Sequence, residues 1–338
     1  MLKKPMAIEH LAHYLAACHA ALPQGTIFVC GHDAPDTDAV VSSVAEAYRR
    51  HLNGEAAVPI VPADSLPAEI AWLLGEPLST ALLYTTDIAA QTADPDTRFI
   101  LTDHHDVAGK RVVAIVDHHQ PSEDTDFDGI QADIRPVGAA TTLVAERCLK
   151  DGLIPDEEMA RILLGAILAD TEGLSPAKAR AEDYTIAERL TALWGGDPAA
   201  LFADLRAQLL AETDLTTLYQ RDYRRFGDAL GFAVIKVWDT TPVDEDALRT
   251  LLATDREGSG VAAALAKITR YGCEGLKDET YLISAPTALT QALAAAIQGA
   301  AGDAATVSAP DRIDLPARAA HLSRKRLVPI LLPLLKKP

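Results

Sequence analysis

Residues 98–119 read Arg98-Phe99-Ile100-Leu101-Thr102-Asp103-His104-His105, then a short polar turn, then Arg111-Val112-Val113-Ala114-Ile115-Val116-Asp117-His118-His119. Two apolar runs, Arg98–Thr102 and Val112–Val116, are each followed at once by Asp-His-His. The second is almost entirely β-branched. Runs of this length without polar alternation read as strands buried on both faces, the habit of a parallel sheet covered by helices.

The chain upstream extends the pattern. Thr26–Gly31 is a third apolar run, and it leads into Gly31-His32-Asp33-Ala34-Pro35-Asp36-Thr37-Asp38. A helix is expected from about Asp38 to His51, closed by Asn53-Gly54. Ala57–Val61 and Ala81–Thr85 read as further strands and Leu66–Leu74 as a short helix. Downstream, helices are expected from Gly138 to Leu149, from Asp156 to Ala169 and from Ala181 to Trp194. Gly195-Gly196-Asp197-Pro198 then breaks the chain. The fold expected is α/β: an N-terminal, mainly parallel sheet with helices on both faces, plus a smaller C-terminal α/β domain, with the active site in the cleft between them. The boundaries expected are 1–198 for the first domain, 199–212 for a linker and 213–338 for the second. Within the second, Phe232–Val237 and Tyr281–Ser284 read as strands and Val261–Lys267 as a helix. Leu327–Leu335, interrupted by Pro329 and Pro333, reads as a docked terminal segment.

In a parallel sheet all C-terminal strand edges lie on one side, and ligands bind in the crevice there. Three sequence-distant clusters, at His32–Asp38, Asp103–His105 and Asp117–His119, would therefore converge, with Asp170 joining from the end of a helix. Buried carboxylates and imidazoles cost free energy unless they are paired or coordinated. Two Asp-His-His triplets fourteen residues apart, each behind an apolar strand, are hard to explain as solvated loops. Carboxylate plus imidazole without thiolate suits Mn²⁺, Co²⁺ or Mg²⁺ better than structural zinc. The groups are too many for one ion; a carboxylate-bridged pair fits better and is suited to phosphoryl hydrolysis. His10, His13, His19 and His51 lie on expected helices without acidic partners at useful spacing.

Composition narrows the classes. The chain has 338 residues, 49% of them apolar, and a formal charge of −17, which argues against a general nucleic-acid binder. The four cysteines are scattered without a Cys-x-x-Cys pair, so neither a zinc ribbon nor a disulfide framework is supported. The N-terminal stretch reads as an amphipathic helix rather than a signal peptide, and no apolar run approaches the ~20 residues that span a bilayer. A cytoplasmic protein without nucleic-acid or membrane partners is expected. From Leu315 to the end there is no Asp or Glu, whereas Arg318, Arg324, Lys325, Arg326, Lys336 and Lys337 are basic. Such a segment in an acidic chain suits a phosphate-bearing substrate, which Arg grips bidentately and Lys as a point charge. The start of the helix at Gly138 offers either amides for phosphate or an ordinary helix cap. No Walker loop, Gly-x-Ser-x-Gly or Gly-x-Gly-x-x-Gly is present.

Taken together these motifs resemble the DHH phosphoesterase superfamily, in the branch of manganese-dependent (family II) inorganic pyrophosphatases, exopolyphosphatases and prune-like proteins. Gly31–Ala39 is similar to the pyrophosphatase form of the first motif. Asp117-His118-His119 matches the namesake motif, Leu168-Ala169-Asp170-Thr171 the next, and Ser323-Arg324-Lys325-Arg326 the substrate-binding motif of the second domain. The resemblance implies one metal on His32, Asp36 and Asp103. It implies a second on Asp38, Asp103, His118 and Asp170, with Asp103 bridging and a shared hydroxide as nucleophile. It further implies two divalent ions, Mn²⁺ first and Co²⁺ or Mg²⁺ as alternatives, with room for additional Mg²⁺ brought by the substrate. His119 would act near the leaving group, His104 and Arg224 would touch substrate, and Arg324 and Lys325 would grip phosphates as binding and catalytic residues. Asp103-His104-His105, Gly138–Arg147 and Gln220–Arg224 lean to the exopolyphosphatase and prune side. Pyrophosphate and short-chain polyphosphate therefore both stay open as substrates. The rivals are a phosphodiesterase acting on a small nucleotide and a non-catalytic phosphate-sensing or scaffold protein; a homodimer is left open.

Overall fold

The apolar runs become the strands of two separate sheets. The computed structural model describes residues 4–121, 126–272, 275–316 and 322–335. The chain divides into two units, 1–209 and 210–338. In the first unit the elements are, in order, β1 (Lys4–Met6), α1 (Ile8–Ala20), β2 (Ile27–Cys30), α2 (Thr37–Leu52), β3 (Ala57–Val61), α3 (Ala68–Leu74), α4 (Leu78–Ala81), β4 (Leu83–Tyr84), α5 (Ala89–Thr92), β5 (Arg98–Thr102), β6 (Arg111–Asp117), β7 (Gln131–Ile134), α6 (Ala140–Lys150), β8 (Leu153–Pro155), α7 (Glu157–Asp170), α8 (Ala181–Trp194) and α9 (Pro198–Leu209).

The main sheet of this unit has the order β4-β3-β2-β5-β6-β7, and every pairing is parallel. Alternate residues of β2 face opposite layers: Ile27 and Val29 pack with Ala47 of α2, and Phe28 and Cys30 with Cys18 of α1. Helices thus cover both faces, as the unalternated runs require. The winding reverses between β2 and β5, so a crevice opens beyond the carboxyl ends of those two strands. Gly31 closes β2 where any Cβ would lie 2.6 Å from Ala39 Cβ, so only glycine lets α2 start this close to the sheet.

The second unit contains α10 (Leu215–Arg221), β9 (Tyr223–Phe226), β10 (Leu230–Trp238), α11 (Glu245–Ser259), β11 (Ala263–Gly272), β12 (Gly275–Ser284), α12 (Thr287–Ala301), β13 (Thr306–Ala309), β14 (Arg312–Pro316) and α13 (Arg324–Leu335). Its sheet runs β13-β14-β12-β11-β10-β9, with only β10 and β11 parallel. Phe232 and Leu265 face α12 and α13, whereas Ala233 and Ala266 face α11.

Several expectations need correction. Val261–Lys267, read as a helix, lies mostly in β11. Its alanines favour helix locally, but the strand is paired on both edges and buried on both faces, and that tertiary setting overrides propensity. Ala81–Thr85 shrinks to Leu83–Tyr84 because Ala81 ends α4. The stretch 199–212 is helical as far as Leu209, and Leu201 and Leu205 are buried in the core of the first unit. Leu327–Leu335 is docked as expected, and it does so within α13, which keeps both prolines on its exposed side while Leu327, Leu331 and Leu335 line up at i, i+4 and i+8 on the core. Cys18, Cys30 and Cys148 are free and buried, and Cys273, Arg318, Lys336 and Lys337 lie outside the described residues. Among the described residues no helix is long and apolar enough to cross a membrane.

Candidate metal centre

Each donor owes its place to an element end. Asp36 is the N-cap of α2, where its Oδ1 accepts the Ala39 amide at 3.0 Å while Oδ2 lies 3.6 Å from His32 Nε2. Asp38 sits in the first turn of the same helix, and Asp103 and His118 follow β5 and β6 directly. Asp170 is the last residue of α7. Donor atoms of His32, Asp36 and Asp103 fall within 4.8 Å of one another, and so do those of Asp38, His118 and Asp170.

Asp103 connects the two groups. Its Oδ2 is 3.3 Å from His32 Nε2, and its Oδ1 is 3.0 Å from His118 Nε2. One carboxylate therefore offers one oxygen to each group. Its backbone is held at φ 60, a left-handed conformation that Asp tolerates better than most residues but still at a cost. His118 Nε2 also lies 3.5 Å from Asp170 Oδ2 and 4.0 Å from Asp38 Oδ2. The other ring nitrogen, Nδ1, meets the Val137 carbonyl at 3.0 Å. Donation there leaves Nε2 for the carboxylates, and for a metal ion once its proton is lost, as in metal-ligating histidines.

The electrostatics fit a cation. Burial, reinforced by Asp103 and Asp170, pushes the Asp38 carboxyl well above its usual range, and burial likewise raises Asp170. Burial opposes charging His32 and His118, yet the surrounding carboxylates hold both at about 10. Like charges so crowded in a buried place call for positive charge between them. The donors are carboxylate oxygens and imidazole nitrogens, a set that fits a hard divalent ion such as Mn²⁺.

Asp117, fully buried, organises the histidines and was given no role from sequence although it stands in the quoted motif. Its Oδ1 accepts the His118 and His119 amides at 2.7 and 3.1 Å and faces His119 Nδ1 at 2.9 Å; its Oδ2 faces His105 Nδ1 at 2.5 Å. Burial alone would raise this carboxyl, but the donors from His119 and His105 hold it far below the usual carboxylate range. With Nδ1 tied down, His119 keeps Nε2 for chemistry. His104 is different: burial, with the nearby His32 and Lys110 charges, lowers it to about 4, so it is neutral. Its Nδ1 accepts the Asp106 amide at 3.4 Å, and among the described residues its buried Nε2 meets no hydrogen-bond partner. That leaves a neutral N–H donor.

The amides at the start of α6 are already engaged. Ala140 and Thr141 donate to Asp38 at 2.6 and 2.8 Å, and Gly138 donates to Asp183 at 2.7 Å. Gly138 lies before the N-cap Ala139, which makes no side-chain cap, so the structure has no ordinary helix cap there. The first amides of α6 instead fix Asp38 at the donor cluster. Asp183, buried and also bonded to Thr142, carried no sequence signal because an Asp in a first helical turn reads as a surface residue.

In the second unit Arg224 lies on β9 opposite Phe232 in the register. Arg324, at the start of α13, donates to the carbonyls of Asp222 and Phe232 at 2.9 and 3.3 Å and to Asp222 Oδ1 at 2.5 Å. Both arginines therefore lie near the β9–β10 end of the sheet. Asp222 was not foreseen. Lys325 shares the helix, and its side chain lies outside the described residues.

Residues 26–169 match the DHH family, N-terminal domain, and this segment is a DHH-family domain. A Methanothrix thermoacetophila protein named manganese-dependent inorganic pyrophosphatase is 28% identical over 209 residues, covering 60% of this chain and 64% of that protein. A Streptococcus mutans protein named probable manganese-dependent inorganic pyrophosphatase is 29% identical over 179 residues, covering 51% of this chain and 56% of that one. The matches thus span less than two thirds of these relatives' length. A crystal structure of a Methanococcus jannaschii protein assigned to the family II inorganic pyrophosphatases superposes with a TM-score of 0.70 at 21% identity, over 92% of this chain and 99% of that one. At that identity the likeness is one of fold.

Proposed function

We propose that this protein hydrolyses phosphoanhydride bonds of pyrophosphate or short-chain polyphosphate with two divalent metal ions, Mn²⁺ first among them. One observation carries the reading: the two oxygens of Asp103 face two separate donor groups. In this reading His32, Asp36 and Asp103 hold one ion, and Asp38, Asp103, His118 and Asp170 hold the other. A bound pair of this kind lowers the pKa of water and stabilises both the attacking and the leaving oxygen of an in-line displacement. The chain's own side chains do the rest. Asp117 orients His119 so that its Nε2 can pass a proton to the leaving phosphate, a role suited to imidazole near neutral pH. Neutral His104 donates an N–H to a phosphate oxygen without adding charge. Arg224, Arg324 and Lys325 bind phosphate oxygens, with Arg324 exchanging its Asp222 carboxylate for the substrate.

Support for manganese and pyrophosphate comes from the relatives' names. Phosphate release should be measured with Mn²⁺ or Mg²⁺ on pyrophosphate, tri- and tetraphosphate, long polyphosphate and a cyclic dinucleotide. Release from pyrophosphate or the short chains is expected. No release from any phosphoanhydride by metal-loaded protein would sink the proposal, and turnover of the cyclic dinucleotide alone would favour a phosphodiesterase.

A further inference from the structure

The second unit buries an ion pair that no step above uses. Lys267 on β11 and Glu279 on β12 are 3% and 2% exposed, with Nζ 2.6 Å from Oε1. Tyr281 lies directly opposite Lys267 in the register and is fully buried. Its hydroxyl is 3.0 Å from Glu279 Oε2. Two charges withdrawn from water cost several kcal/mol each by desolvation, and apolar side chains of similar volume often fill such a space with equal or better stability. Stability alone is therefore a weak reason for this pair. The point on which it converges is more telling. Lys267 Nζ donates to the Leu322 carbonyl at 3.0 Å, and the Tyr281 hydroxyl lies 3.2 Å from the same oxygen.

Leu322 is the residue before Ser323, whose carbonyl accepts the first amides of α13 from Arg326 and Leu327. Arg324 follows, with its guanidinium on Asp222 and Phe232. We propose that Lys267, Glu279 and Tyr281 are positioning residues: by gripping the Leu322 carbonyl they fix the backbone from which Arg324 reaches the anionic substrate. Asp222 holds the side-chain end and the buried trio holds the main-chain end. Burial and the Glu279 carboxylate push the Tyr281 hydroxyl far above its ordinary pKa, so it stays a protonated donor at any working pH. The inference deepens the proposed function and rests on Arg324 binding substrate phosphate.

Tyr281→Phe removes one hydroxyl and leaves the ring, so it tests the grip with little loss of packing. Two readouts are needed. The first is amide hydrogen exchange across 322–330, which is independent of turnover. Faster exchange confined to that segment is expected, and unchanged exchange would overturn the positioning. The second is a double-mutant cycle on the KM for pyrophosphate. Tyr281→Phe should raise KM about tenfold, the scale of the one hydrogen bond its hydroxyl proton shares between Glu279 and Leu322, with Mn²⁺ affinity unchanged. In an Arg324→Ala background the same change should alter KM by less than about twofold, because the group being positioned is gone. Effects that add fully would overturn the proposal, since a merely structural tyrosine acts the same in both backgrounds. Tyr219→Phe, which removes a hydroxyl bonded to Asp255 elsewhere in the unit, should leave KM unaltered; an equal rise there would also count against a specific role. A wild-type protein that binds Mn²⁺ but releases phosphate from neither pyrophosphate nor any polyphosphate would refute the proposed function, and the exchange readout would still decide the positioning.

Discussion

Loading the donor cluster with Mn²⁺ should expel protons, and the structure shows where two of them sit. In the metal-free protein burial works against charge on His32 and His118, but Asp103 and Asp36 around the first, and Asp103, Asp170 and Asp38 around the second, hold each imidazole at about 10. Both are charged at pH 7, and a metal ion binds only the neutral form. Three pH units below its pKa, each imidazole taken by itself gives the proton an advantage of about a thousandfold over the metal. Calorimetric titration of Mn²⁺ in buffers of different ionisation enthalpy should therefore report proton release at pH 7, one proton from each imidazole together with any held by the raised Asp38 and Asp170 carboxyls. Because each ion displaces one imidazole proton, the apparent affinity for each should climb by close to tenfold per pH unit between pH 7 and 8.5. The sign for stability follows. A histidine whose folded pKa is raised from 6.5 contributes stability that is complete below 6.5 and lost as pH rises through about 10. The metal-free protein should weaken across that window, and the rise in Tm caused by Mn²⁺ should widen with pH. Calorimetry showing no proton release, with affinity flat in pH, would refute the assignment of these two imidazoles as the metal-binding donors.

Asp103→Asn keeps the shape but removes the charge shared between the donor groups; it should abolish Mn²⁺ retention and phosphate release together, and an unaffected variant would refute its bridging role. Glu46 is fully buried, with its carboxylate within hydrogen-bond reach of Arg49, Arg50 and Arg147. Glu46→Gln should cost about 1–3 kcal/mol in denaturant unfolding, because it removes the buried charge three guanidinium groups share, although Arg49, Arg50 and Arg147 each keep a second carboxylate, on Asp151, Glu55 and Asp133. Burial alone would raise Glu46, but its arginine partners lower it below the ordinary 4.5; its contribution is present above that pH and fades as the pH falls through the lower folded value. Gly31→Ala should cost about 1–3 kcal/mol by overpacking against Ala39, and it should lower activity with pyrophosphate because His32 rides on the displaced backbone. Wild-type melting and turnover would contradict that close approach.

The first unit was legible because its signals are local. Thr26–Gly31, Ala57–Val61, Arg98–Thr102 and Val112–Val116 each carry their own strand pattern, and their strands appear as β2, β3, β5 and β6. The donor residues stand next to strand ends in sequence, so the sheet rule alone brought His32, Asp103 and His118 together. Legibility failed where a neighbour decides. Alanine-rich β11 became a strand through β10 and β12 on its two sides. Short β7, with Gln131–Ile134 half exposed, is defined by its register with β6 rather than by its own residues. Asp183 and Asp222 are chosen by distant partners, Gly138 and Arg324, and nothing at either position announces them.

Asp103 shows why fold and site are one problem in this chain. β5 adjoins β2 where the winding reverses, so the residue after β5 enters the crevice whatever its chemistry. A glycine there would relax the left-handed backbone but bring no oxygen. The carboxylate is instead kept in a conformation that costs of order 1–2 kcal/mol for most residues, buried beside Asp38, with Asp36 and Asp170 close by. Strain and like-charge crowding at one residue work against the metal-free fold, and His32 and His118 offset them only while protonated. A divalent ion in each donor group would remove the crowding and free both imidazoles at once. The same features that make the metal-free centre costly are thus the ones that make it selective for positive charge, and they couple metal binding to the stability of the first unit.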